Sequence, residues 1–196
     1  MKKIILLLLL PLTITAQKNY PELLNQYVQA EFKIKEFNGT VLVMQKGKAV
    51  YQKSFGMADR EWNIPNAQNT KYRIGSVTKQ FTAACILLLA EQGKLGLDDK
   101  LSKYIPDYPK GDSITIHMLL THTSGIKNYT DIPAFWPKAA LPLSPDSMVA
   151  IFKNKPLDFS PGSKWNYSNS GYFLLGIIVQ KASGKKFSDY LLENII

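Results

Sequence analysis

The sequence predicts an α+β fold, in which a helix and two strands of an antiparallel sheet are followed by a mainly helical region. Two observations lead to this prediction. Two short apolar segments joined by a turn are typical of a β-hairpin, and the long apolar segments after them carry helix caps. Because an isolated hairpin is only marginally stable, we expect these strands to belong to a larger sheet whose other strands are absent from this sequence.

The first elements follow from local patterns along the chain. Residues 21–36 carry apolar side chains at helical spacing and predict a first helix. Residues 40–44 predict an apolar strand, residues 46–48 a turn, and residues 49–55 the alternating partner strand. The polar, asparagine-rich residues 60–70 are predicted to form a loop.

The rest of the chain is predicted to be helical. Apolar stretches indicate helices at residues 77–92, 116–120, 145–153, 171–182 and 188–196. Their ends carry typical signals, with Thr115 and Ser144 as N-caps and with Gly93 and Gly184 after the last turns. The predicted helix at residues 171–182 is apolar nearly all round, so we expect it to be buried.

The N-terminal residues predict export from the cell. Two lysines after the first methionine, an apolar run at residues 4–10 and a small-residue cleavage site after Ala16 are typical of a secretory signal peptide. The run is too short to span a membrane, and Pro11 interrupts it. We therefore expect residues 1–16 to be removed and residues 17–196 to act in the periplasm or outside the cell. An uncleaved anchor is the alternative.

The charge and the metal-binding residue types exclude several functions. The formal net charge is +9, but the basic residues are scattered, which argues against nucleic-acid binding and leaves association with an anionic cell envelope open. One cysteine, Cys85, and two histidines, His117 and His122, lie in separate segments, so no disulfide and no metal site is expected. No glycine-rich phosphate loop occurs, and no cofactor is expected.

A serine followed three residues later by lysine occurs three times, at residues 76–79, 124–127 and 183–186. Glycine follows the serine in the last two cases, which indicates turns, whereas Ser76 opens a long apolar helix. Residues three apart share one face of a helix, so Lys79 would lie beside Ser76. A partly desolvated lysine can accept the serine proton and activate the hydroxyl as a nucleophile. From these residues alone, a simple helix N-cap is the equal alternative.

The sequence Tyr167-Ser168-Asn169 comes directly before the predicted buried helix. A tyrosine beside a lysine can carry protons, because the ammonium stabilises its phenolate. An asparagine can donate to a substrate carbonyl and accept from a lysine. The alternative is a loop that leads into the helix and caps it with serine or asparagine.

Four signatures in this order resemble the serine β-lactamase and penicillin-binding protein superfamily, above all its class C β-lactamase, D-Ala-D-Ala carboxypeptidase and esterase branch. They lie at residues 74–82, 93–99, 119–125 and 161–172, and the resemblance runs from about residue 21 to residue 196. It implies a β-lactamase/transpeptidase-like fold, an antiparallel sheet flanked by helices beside a mainly helical region, with the site between them.

The resemblance also implies site residues. Ser76 is the implied nucleophile, and Lys79 is its activating partner. Tyr167 is the implied general base, which later acts as an acid, and Asn169 supplies the amide that holds the substrate. Whether the lysine or the tyrosine takes the first proton stays open. The segment that contains His122 resembles a structural turn of the family, so no catalytic role is predicted for it.

The implied function is hydrolysis through an acyl-serine intermediate, with a β-lactam, a D-alanyl peptide or a small ester as substrate. A catalytically silent relative that binds or senses cell-wall peptides is the alternative. The third motif of the family, Lys-Thr-Gly or His-x-Gly, has no match after Ser170. We therefore expect a C-terminally truncated fragment that is inactive by itself, because an oxyanion-hole donor would be missing.

Overall fold

A computed structural model describes residues 19–34 and 37–196. The predicted signal peptide, residues 1–16, lies outside the described residues, so the structure does not test it. The chain divides into two compact units, one up to Arg73 and one from Ile74 to Ile196. None of the helices in the described ranges combines the length and the hydropathy that crossing a bilayer requires.

The first unit consists of a helix and short strands. Helix α1 (Tyr20–Lys33) is capped by the side chain of Asn19 and packs against the second strand of a hairpin. Strand β1 (Gly39–Gln45) pairs antiparallel with β2 (Lys48–Phe55), which confirms the predicted hairpin. Their small core consists of Val28, Tyr51 and Phe55.

The prediction of a loop at residues 60–70 is wrong in part. Strands β3 (Met57–Asp59) and β4 (Ile64–Pro65) form a second two-stranded antiparallel sheet. The side-chain amides of two asparagines add hydrogen bonds to the backbone beside these short strands. Asn38 accepts from the Met57 N–H at 2.8 Å, and Asn66 donates to the Phe55 carbonyl at 2.8 Å. A two-residue strand gives too little periodicity to be recognised in a sequence.

The second unit is helical. Its helices are α2 (Thr78–Glu91), α3 (Leu101–Tyr104), α4 (Ile116–Leu120), α5 (Pro145–Ala150), α6 (Asn169–Ser183) and α7 (Phe187–Asn194). Helix α6 packs against α2, α4 and α7 and is therefore the centre of the unit. Its fully buried apolar side chains are Leu174, Leu175, Ile178 and Val179. Each contributes about 1.5–3 kcal/mol by burial, so the middle of α6 is held in the core.

The predicted helix ends are mostly confirmed. Thr115 accepts from the Met118 N–H, Ser144 accepts from the Ser147 N–H, and Gly184 ends α6 with a φ of 72°. Helix α5 ends at Ala150 rather than near residue 153, because the following residues continue only as turns. Helix α6 begins at Asn169, two residues earlier than predicted, so the tyrosine–asparagine segment leads straight into it.

Candidate active site

Ser76 and Lys79 meet at the start of α2. Ser76 lies in a single 3-10 turn, Gly75–Val77, directly before the helix. The Lys79 Nζ donates a hydrogen bond to the Ser76 Oγ at 3.2 Å. Gly75 has a φ of 53°, a left-handed conformation that glycine adopts without strain and that lets the chain turn sharply before the serine.

The hydroxyl of Ser76 is not used as a helix cap. Neither the 3-10 turn nor α2 has a side-chain capping bond at its N-terminus. The Ser76 Oγ instead lies 2.5 Å from the hydroxyl oxygen of Tyr167, as well as within reach of Lys79. The serine is therefore placed for proton exchange with two side chains.

Tyr167 and Asn169, at the start of α6, lie beside this serine–lysine pair. Ser76 and Tyr167 are 91 positions apart in the chain. The Asn169 Oδ1 accepts from the Lys79 Nζ at 2.7 Å, so the lysine is held between the asparagine and the serine. The structure thus brings together the four residues that the resemblance selected, while their chemical roles stay predictions.

The other two serine–lysine sequences have no such arrangement. The Ser124 Oγ accepts from the Ile126 N–H at 3.3 Å, and Lys127 forms an ion pair with Asp158 at 3.0 Å. The Ser183 Oγ accepts from the Lys185 N–H at 3.2 Å, in the turn after α6. Both serines therefore bind the backbone locally.

The electrostatics of the site favour the Tyr167 phenolate. Burial alone raises the pKa of Tyr167, but interaction with the Lys79 ammonium and a hydrogen bond with Ser76 outweigh it, so the pKa falls below its ordinary value. The Lys79 Nζ lies 4.8 Å from the centre of the Tyr167 ring. Tyr129 and Tyr172 behave oppositely, because burial and then the charge of Tyr167 raise their pKa values. Tyr167 is thus the tyrosine of this group that ionises most readily.

His122 packs against the Tyr167 ring and binds the backbone of the next residue, Ser168. The two ring centres are 4.7 Å apart, and the His122 Nδ1 accepts from the Ser168 N–H at 3.1 Å. Burial and then the charge of Lys79 lower the pKa of His122, which favours the neutral ring, whose unprotonated Nδ1 can accept. The sequence indicated only a turn here, because nothing local links His122 to a residue 46 positions away.

Two buried serines anchor the same segment. The Ser168 Oγ accepts from the Gly171 N–H, which caps α6, and also donates to the Ile126 carbonyl at 3.3 Å. The Ser170 Oγ accepts from the Tyr129 N–H at 2.9 Å and donates to the Lys127 carbonyl at 2.7 Å. These bonds fix the backbone on both sides of Asn169. Sequence reasoning treated Ser168 only as a possible cap and gave Ser170 no role of its own.

Nothing in the described residues resembles a metal centre. Within residues 19–34 and 37–196, no three side chains among histidine, cysteine, aspartate and glutamate lie close enough to hold an ion. Cys85 is fully buried in the core, and burial raises the pKa of its thiol, so this cysteine is an unreactive packing residue.

Comparisons with known proteins show what the chain is similar to. A family model described as Beta-lactamase matches residues 24–196. Penicillin-binding protein 4* of Bacillus subtilis (strain 168) is 38% identical over 163 residues, which cover 82% of this chain and 36% of that protein.

Solved structures of penicillin-binding proteins and β-lactamases are also similar to this chain. The crystal structure of a penicillin-binding protein from Bacillus halodurans superposes with a TM-score of 0.75 at 33% identity, covering 86% of this chain and 52% of that chain. A class C β-lactamase mutant superposes with a TM-score of 0.73 at 26% identity, covering 89% and 47%. The chain therefore spans about half the length of these solved structures.

Proposed function

Since the chain belongs to the β-lactamase family, which its match over residues 24–196 shows, we propose that it acts as an active-site-serine hydrolase through an acyl-Ser76 intermediate. One observation carries the proposal. The Ser76 Oγ lies within hydrogen-bond distance of both the Lys79 Nζ and the Tyr167 hydroxyl. A serine is a weak nucleophile unless a neighbouring base takes its proton, and this site offers two such neighbours.

In the acylation step, the Ser76 Oγ attacks the carbonyl carbon of the substrate and forms a tetrahedral intermediate. The proton of the Ser76 hydroxyl passes to Tyr167 or to Lys79. It then passes to the leaving nitrogen or oxygen, as the bond between that atom and the carbonyl carbon breaks. In the second step, water attacks the acyl carbon, gives a proton to the same base and releases the carboxylic acid, while the proton on the base returns to the Ser76 Oγ.

The position before α2 supports this chemistry electrostatically. Ser76 precedes a 14-residue helix, whose N-terminus carries partial positive charge and favours the oxyanion that forms on the substrate. The second oxyanion donor and the third-motif cation that the family resemblance implies are not assigned to residues of this chain.

For the substrate, we propose a β-lactam, a D-alanyl peptide or a small ester, because one acyl-transfer chemistry serves all three. The names of similar proteins support the β-lactam, since they include penicillin-binding proteins and a class C β-lactamase, and the other two substrates rest on the family resemblance. We also propose that residues 1–16 direct export, which would bring the site to cell-wall peptides.

The proposal is tested with the full-length protein, a fluorescent penicillin and a fluorophosphonate probe. Peptide mapping by mass spectrometry should find the adduct on Ser76, and Ser183→Ala, which removes the serine of another serine–lysine sequence, should be labelled normally. An adduct that forms without turnover of any of the three substrates would favour the silent binding protein instead. Failure of both probes to label Ser76 would overturn the acyl-serine mechanism.

A further inference from the structure

Asn128 is a buried side chain that the proposed chemistry does not use. Only 6% of its surface is exposed, and it lies directly before the 3-10 turn Tyr129–Asp131. Its Oδ1 accepts from the backbone N–H of Asn169 at 3.0 Å and from the Asn169 Nδ2 at 3.3 Å. An unpaired polar group here would cost about 1–3 kcal/mol, so these partners determine how Asn128 is placed.

The other end of the Asn128 amide fixes its orientation. The Asn128 Nδ2 donates to the Thr130 Oγ1 at 2.7 Å and to the Asp131 Oδ1 at 3.2 Å. A backbone N–H can only donate and a carboxylate can only accept. If the Asn128 amide were flipped, its NH₂ would face the N–H of Asn169 and its oxygen would face the carboxylate of Asp131. Only one orientation is therefore compatible with both neighbours.

The orientation of the Asn128 amide determines the orientation of the Asn169 amide. The Asn169 Nδ2 faces two acceptors, the Asn128 Oδ1 and the Thr130 Oγ1, each at 3.3 Å. Its Oδ1 is consequently left to face the Lys79 Nζ, at 2.7 Å. We propose that Asn128 is a positioning residue, which keeps the carbonyl oxygen of Asn169 directed at Lys79 and thereby holds the lysine beside Ser76. The inference rests on the proposed function.

One consequence concerns how Asn169 meets a substrate. Two acceptors inside the protein already face the Asn169 Nδ2, so a substrate carbonyl that approaches it has to compete with Asn128 and Thr130. The main contribution of Asn169 is therefore to accept from Lys79. Replacing Asn128 should therefore lower the rate of acylation more than the affinity for substrate.

The experiment compares two changes at position 128 in the full-length protein. Asn128→Leu keeps the size of the side chain and removes the acceptor. The double variant Asn128→Asp, Asp131→Asn keeps the acceptor, the side-chain sizes and the net charge, because the new amide can donate to the new carboxylate. The acylation rate constant with a fluorescent penicillin is measured together with the thermal unfolding midpoint.

We expect Asn128→Leu to slow acylation by about 10²-fold, as a displacement of about 1 Å in a reacting group can do. The double variant should acylate close to the rate of the unchanged protein. In an Asn169→Ala background, Asn128→Leu should cause no further loss, since the two residues act in series. If Asn128→Leu does not fold, Asn128→Ala takes its place in the comparison.

Three results would overturn the inference. They are an unchanged rate in the leucine or alanine variant, an equal loss in the double variant with a normal unfolding midpoint, or a full loss in the Asn169→Ala background. Each leaves the proposed function intact provided that the unchanged protein acylates Ser76. If the unchanged protein does not, the proposed function fails first, and the two failures are thereby told apart.

Discussion

Ser168 donates its backbone N–H to the Nδ1 of His122 at 3.1 Å, and this bond ties the backbone beside Tyr167 to the end of α4. The acceptor exists only while the His122 imidazole is neutral at Nδ1. The placement of Tyr167 opposite Ser76 therefore depends on the protonation state of a residue that takes no part in the proposed chemistry.

The first prediction concerns the pH dependence of stability. Burial, and then the charge of Lys79, holds the pKa of His122 below its ordinary value of 6.5, so the unfolded chain binds this proton more readily than the folded chain. The free energy of unfolding should consequently fall as the pH drops below about 6.5, until the pH passes the folded pKa. Denaturant unfolding between neutral and acidic pH measures this.

The matched variants are His122→Asn and His117→Asn. Asparagine tolerates the positive φ of 61° at position 122, and its side-chain oxygen can replace Nδ1 as the acceptor, but it does not titrate. His122→Asn should flatten the loss of stability on acidification. His117 is exposed on α4, and its replacement should leave that loss in place. An unchanged acid dependence in His122→Asn would contradict the assignment.

The second prediction concerns the tyrosine hydroxyl. Tyr167→Phe removes the group 2.5 Å from the Ser76 Oγ and should lower the acylation rate by at least about 10²-fold, the lower range for general acid–base help. Tyr129→Phe is the control, because burial raises the pKa of that neighbouring tyrosine. Stopped-flow acylation by a chromogenic β-lactam or ester gives the rates. Similar rates in the two variants would mean that Tyr167 does not move the proton.

The third prediction separates the two candidate bases. Lys79→Met keeps the length of the side chain and removes the ammonium that lowers the pKa of Tyr167 below its ordinary value of 10.0. That pKa should therefore rise. If the phenolate is the base, the increase of the acylation rate with pH should move to higher pH, in addition to a loss of at least about 10²-fold near neutrality. A low acylation rate that no longer rises with pH would favour Lys79 as the first base.

The fourth prediction concerns the helix that carries Asn169. Leu175→Ala removes a fully buried side chain of α6 and should lower the free energy of unfolding by about 2–5 kcal/mol. Leu192, which is 65% exposed on α7, is the control, and Leu192→Ala should change stability by less than about 0.5 kcal/mol. Chemical denaturation measures both. Equal losses would contradict the central position of α6 in the core.

What the sequence predicted correctly consists mostly of local relationships. The caps at Thr115 and Ser144 each join residues three apart, and so does the contact between Ser76 and Lys79. Such pairs lie on one helical turn, which periodicity alone can indicate. The approach of Tyr167 to Ser76 came only from the family resemblance, since no local pattern relates residues 91 positions apart.

The residues that the sequence did not identify act through the backbone of a distant segment. His122 and Asn128 accept from the N–H groups of Ser168 and Asn169, which lie 46 and 41 positions further along the chain. A backbone N–H has no side-chain identity, so no residue type marks it as a partner. The packing of α4 and of the 3-10 turn Tyr129–Asp131 against α6 brings these groups together.

The central claim is that Ser76 is the nucleophile, and turnover by Ser76→Ala in the full-length protein tests it most directly. A chromogenic β-lactam, a D-alanyl peptide and a p-nitrophenyl ester serve as substrates, with thermal unfolding to verify the fold and Ser183→Ala as the control. We expect the Ser76 variant to lose turnover of every substrate that the unchanged protein hydrolyses, with nearly the same unfolding midpoint. Substantial hydrolysis by a folded Ser76→Ala protein would contradict the account.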